Sequence, residues 1–74
     1  MTRKYAFVFE KMLDGEVRLI YADETVNKLV PERFEYFDVT TLTRKLSICV
    51  AAETLDEGYI KAEKMCNEYY ASTK

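Results

Sequence analysis

Histidine and tryptophan are absent from the 74 residues, and there are only two glycines, one proline and two cysteines. Without histidine the chain lacks the commonest general base and a principal neutral metal ligand. Cys49 and Cys66 alone leave no zinc-finger ligand set. Two isolated glycines, Gly15 and Gly58, build neither a phosphate loop, a dinucleotide-binding turn nor a nucleophile elbow. No apolar run approaches the ~20 residues of a membrane span. The basic start Arg3-Lys4 leads into a short apolar run that Glu10 ends, which is not the pattern of a signal peptide. The carboxylate pairs Asp23-Glu24 and Asp56-Glu57 read as a loop or cap and as helix-start chemistry. The expectation is a chain that is not an enzyme and holds no cofactor and no metal.

Eleven Lys and Arg stand against thirteen Asp and Glu, a net charge of −2 with pI near 5.1. A general nucleic-acid binder needs an excess of basic residues along one face, so this balance argues against one. Apolar residues at 49% with charged residues at 32% describe a folded domain. The length allows a single α+β domain over 1–74, whose one core supplies only a few kcal/mol of net stability. Association with another protein, or as a homo-oligomer, is therefore an open route to further stability. Free thiols suit a reducing cytoplasm.

Lys45–Ala52 alternates with period two, Leu46, Ile48, Val50 and Ala52 against Ser47, Cys49 and Ala51, as in a strand with one face in the core. Thr54 follows as an N-cap with Glu57 at capping-box spacing. Leu55, Tyr59, Ala62, Cys66 and Tyr69 then fall on one helical stripe, with Met65 and Tyr70 at its edges. Glu57 and Lys61 are placed for an i, i+4 pair. Gly58 borders the stripe and reads either as a close approach to the sheet or as a tolerated first-turn glycine. Ile60 is the one apolar residue on the polar side. With Cys49 and Cys66 on opposite faces, no disulfide between them is expected.

Upstream, Tyr5–Glu10 is apolar on both faces and reads as an interior strand. Asp14-Gly15 marks a hairpin turn into Val17–Ala22, where Val17, Leu19 and Tyr21 oppose Arg18, Ile20 and Ala22. Asp23–Glu32 reads as one or two helical turns carrying Val26, Leu29 and Val30 and ended by Pro31, or equally as a loop. Phe34–Thr41 is a third strand, with Phe34, Tyr36 and Asp38 opposite Glu35, Phe37, Val39 and Thr41. The fold class is a small antiparallel sheet of about four strands with one C-terminal amphipathic helix packed on one face.

Ten aromatic residues are more than one helix on one face can bury, so some belong on the open face or its rim, where aromatics anchor protein contacts. The candidate contacts are Arg18, Tyr36 or Phe37, Lys45 and Cys49, with Ile60 as a second site. These expectations describe a non-enzymatic protein-binding module.

Arg3-Lys4-Tyr5-Ala6-Phe7-Val8 resembles the longer signature of the RNA-recognition-motif family, with Lys4 where the family has glycine. The resemblance implies base stacking by Tyr5 and Phe7 beside the basic Arg3 and Lys4, on the first strand here and on the third in the family. Ala52-Glu53-Thr54-Leu55-Asp56-Glu57, followed by Ala62-Glu63, is similar to the strand-to-helix junction of small phage inhibitors of host RNA polymerase and to that of HicB-type antitoxins. That resemblance implies a compact accessory protein acting by binding, in its most concrete form a phage-type modulator of a host machine. Nucleic-acid binding through the first strand and a structural, oligomer-forming subunit stay open as alternatives.

Overall fold

The computed structural model of the chain describes residues 2–26 and 31–72. β1 (Arg3–Lys11), β2 (Val17–Glu24), β3 (Arg33–Asp38) and β4 (Thr43–Ala52) form one antiparallel sheet in the order β2-β1-β4-β3, and α1 (Leu55–Ser72) packs on one face. The apolar character of both faces of β1 reflects its central position, paired with β2 on one side and β4 on the other. Among the described residues no helix is long and apolar enough to cross a membrane.

Local chemistry explains the β1–β2, β3–β4 and β4–α1 junctions. Gly15 takes a φ of 94°, open to glycine at little cost, while the Glu16 amide donates to Asp14 Oδ1 at 2.8 Å. The β3–β4 turn has no glycine. Asp38 organises it by accepting from the Thr40 amide on its side chain and from the Leu42 amide on its carbonyl, each at 2.8 Å. Leu42 consequently sits at a φ of 58°, and β3 stops at Asp38, short of the expected Thr41. At the helix start Thr54 Oγ1 accepts from the Glu57 amide at 3.1 Å, as its N-cap position requires. The Glu57 carboxylate turns to Lys61 at 3.4 Å, and Lys61 also donates to the Ala51 carbonyl at 3.0 Å, tying the first turns of α1 to β4.

The core lies between α1 and the centre of the sheet: Tyr5, Phe7, Phe9, Leu46, Ile48, Val50 and Ala52 from below, Ala62 and Cys66 from above. Gly58, Ala62 and Cys66 recur every four residues and give the helix a shallow central stripe. This lets it settle onto Phe7, which is completely buried. A methyl group added at Gly58 would stand 3.3 Å from the Phe7 ring, so the glycine marks a close approach. Leu55, expected on the same stripe, is 42% exposed because it precedes that contact by one turn.

Two expectations change. The helical turns expected over Asp23–Glu32 are absent at the described ends. Asp23 and Glu24 extend β2, the Thr25 amide donates to the Lys4 carbonyl at 2.9 Å, and residues 27–30 lie outside the described residues. In β2 the pairing slips between Val8 and Phe9, leaving Ile20 as an extra residue between Leu19 and Tyr21. One extra residue reverses the facing of all that follows. Ala22 therefore packs against the core and Tyr21, expected beside Val17 and Leu19, lies on the opposite face.

Candidate functional site

The face of the sheet opposite α1 is built by cross-strand rows. Tyr21, Val8, Ser47 and Phe34 make one row; Arg18, Glu10, Lys45 and Tyr36 make the next; Asp23, Ala6 and Cys49 lie on the other side of the first. The central strands contribute small side chains, Ala6, Val8, Ser47 and Cys49. The edge strands contribute large ones, Tyr21 from β2 and Phe34 and Tyr36 from β3. The result is a shallow trough with aromatic walls. Tyr21 and Phe34 are each 51% exposed and Tyr36 36%. The Phe34 and Tyr36 rings stack at 5.6 Å between centroids and 23° between planes, which makes one wall a continuous aromatic surface.

One end of the trough is closed by a polar network. The Lys45 ammonium is paired with the Asp38 carboxylate and lies 3.8 Å from Glu10 Oε2. Thr43 Oγ1 donates to Glu10 Oε2 at 2.9 Å and shares a 2.6 Å hydrogen bond with Thr41. The hydrogen bond from Lys45, followed by that from the Thr40 amide, holds the Asp38 carboxyl below its ordinary value. The hydrogen bond to Asp38 raises the Lys45 ammonium above its own. Both groups are fixed in their charged forms near neutral pH, an arrangement that braces the face rather than exchanging protons. Among the described residues no cluster of cysteine and carboxylate side chains is placed to hold a metal ion.

The sequence-derived contacts are distributed unevenly. Arg18 and Tyr36 share one row on this face and are exposed. Lys45 is in the same row but buried in the network, so its role there is to orient Asp38 and Glu10. Cys49 is on the face but only 7% exposed, which withdraws it as a direct contact. Phe37 is on the helix side, where with Lys11, Leu13, Leu42, Arg44 and Tyr70 it lines a cleft of about 400 Å³ beside the end of α1. Ile60 is 68% exposed on α1, away from the trough.

The first-strand nucleic-acid site is overturned. Tyr5 and Phe7 face the helix, at 6% and 0% exposure, so neither ring is free to stack on a base. Arg3 pairs with Glu24 at 3.7 Å, and Lys4 alone of that group is exposed on the trough side. Two wall residues were missed by sequence reasoning. Phe34 was legible in its alternation with Tyr36. Tyr21 was hidden, since nothing in Val17–Ala22 announces the bulge.

No protein-family model, curated protein or solved structure matches the chain.

Proposed function

We propose that this chain is a non-enzymatic, cofactor-free protein-binding module whose contact surface is the aromatic-walled trough. The observation that carries the reading is the exposure of Tyr21, Phe34 and Tyr36 on the two rims of a floor of small residues. Rigid aromatic rings around a shallow apolar floor desolvate cheaply and lose little side-chain entropy on contact, and such residues dominate binding energy at protein interfaces. Arg18, at the other end of Tyr36's row, and Asp23, beyond Tyr21 on β2, supply a polar rim. The phage-type modulator of a host machine is the concrete form of this reading, supported by the resemblance at Ala52–Glu57. Two buried free thiols fit a reducing cytoplasm as its place of action.

The test is affinity capture with the intact chain and with a Tyr21→Ala/Tyr36→Ala variant whose unfolding free energy is checked first. Both rings are partly buried against neighbouring strand positions, so stability should fall by about 1–3 kcal/mol, and capture is compared only once the variant is shown to be folded. A discrete partner held by the parent and lost by the variant supports the trough. A partner retained unchanged by the variant, or no reproducible partner, overturns it.

A further inference from the structure

We infer that the outer edge of β3 is a homotypic docking strand, and that its occupant is β3 of a second copy of this chain in antiparallel register, with Arg33 opposite Glu35 and Phe34 opposite Phe34. This goes beyond the trough reading, because it uses the strand's backbone edge and a second copy rather than the sheet face and a different protein.

The backbone places the free groups. The Cys49 amide donates to the Glu32 carbonyl at 2.9 Å, so Glu32 and Cys49 are a hydrogen-bonded pair. Such pairs alternate in an antiparallel ladder. Phe34, Tyr36 and Asp38 therefore turn their amides and carbonyls toward β4, and Arg33, Glu35 and Phe37 turn theirs outward. No described strand pairs with that side. The two sheet edges differ in how they are protected. β2 is bulged at Ile20, which interrupts a regular ladder, whereas β3 is regular throughout. The backbone of α1 packs over β4, β1 and β2 and leaves the helix side of β3 to side chains such as Tyr69.

Charge selects the register. Residues facing each other across a two-fold must share a face, so the centre falls on Phe34, Glu35 or Tyr36. Centring on Glu35 sets two carboxylates opposite each other. Centring on Tyr36 sets Glu35 against Phe37 and Phe34 against Asp38. Centring on Phe34 sets Arg33 of each copy against Glu35 of the other and joins the two exposed Phe34 rings. Arg33 and Glu35 already share the helix side, Arg33 over the Tyr69 ring at 5.0 Å and Glu35 at 3.7 Å from Arg44. In that register Phe37 meets Pro31, which has no amide to offer, so the paired ribbon ends there. An interface of one short strand is at the small end of the range, and the dimer forms at protein concentrations on the order of 100 µM.

Sedimentation of the purified chain across that concentration range tests it. The parent is expected to shift from monomer to dimer. Arg33→Glu and Glu35→Lys, each confirmed folded by circular dichroism, are each expected to weaken association about tenfold. An equimolar mixture of the two restores the dimer, because each copy then faces a complementary charge. Phe34→Cys, on the two-fold, should form a disulfide-linked dimer under mild oxidation, since directly opposed non-hydrogen-bonded positions lie within disulfide reach. A parent that stays monomeric into the millimolar range overturns the inference, and so do charge variants that associate as well as the parent or fail to complement. Those failures leave capture of a different protein on the trough untouched. Loss of capture by the Tyr21→Ala/Tyr36→Ala variant, in turn, is read without reference to self-association.

Discussion

Lys45 and Asp38 form an ion pair across the β3–β4 hairpin, on the side of the sheet opposite α1. Asp38 also shapes the turn through its second oxygen, so one carboxylate couples the turn to the floor of the trough. Near neutral pH, Lys45→Gln should lower the melting temperature, because Asp38 and Glu10 are left side by side without their cation. The pH dependence follows from the two shifts. The Asp38 carboxyl is lowered from 3.8, so its contribution is fully present above that value and is lost as pH falls through the lower folded value. The Lys45 ammonium is raised from 10.5, so its contribution is present below 10.5 and is lost as pH rises through the higher folded value. The stability difference between parent and variant should be greatest between these limits and shrink at both extremes. Urea unfolding over a pH series measures it, and a pH-independent difference would refute the linkage.

Gly58 and Phe7 supply a second test. The Cβ that Ala would add stands 3.3 Å from the ring, a tight but adjustable contact, while helix propensity gains about 1 kcal/mol from the substitution. Gly58→Ala should therefore stay within about 1 kcal/mol of the parent. Gly58→Val, with two further methyl groups aimed at a fully buried ring, should destabilise by roughly 1–3 kcal/mol. Chemical denaturation separates the two, and equal effects would mean that the helix does not sit on Phe7.

Leu42 carries backbone strain that its side chain does not repay. Its φ of 58° is costly for a branched residue, about 1–2 kcal/mol, and it is 63% exposed. Leu42→Gly relieves that cost and gives part of it back through the extra freedom of the unfolded chain. A net gain of about 0.5–1 kcal/mol is expected, which for a domain of this size raises the melting temperature by a few degrees. Leu42→Val should lower it. Calorimetry decides the sign.

Cys66 should be inert in the folded protein. Burial pushes its thiol up to about 11, and it is 1% exposed. At pH 8 only roughly one thiol in a thousand is then ionised. An aromatic disulfide reagent should leave Cys66 unmodified in the native state and label it after denaturant is added. Fast native-state labelling of Cys66 would place it outside the core.

The period-two runs of β1 and β4 and the stripe of α1 were legible because each element buries one face, and burial writes its period into the residues. Thr54, Glu57 and Lys61 were legible for a similar reason: capping and i, i+4 pairing are local. Phe34 and Tyr36 shared a face on any reading of β3. Tyr21 did not declare itself, because a bulge is decided by what the neighbouring strand requires, and Val17–Ala22 alternates acceptably without one. Tyr5 and Phe7 were open to a binding role until the helix was seen to cover them.

The sequence by itself determined the four strands and the C-terminal helix, the capped start of that helix and the absence of histidine-based chemistry, all of which depend on composition or on residues near one another in the chain. Only the tertiary structure decided that β1 and β4 lie together at the centre, that the bulge at Ile20 turns Tyr21 outward, and that Lys45 is spent on Asp38 and Glu10. These depend on pairings between distant segments, where backbone hydrogen bonding is indifferent to side-chain identity and the choice falls to how the whole sheet buries its core.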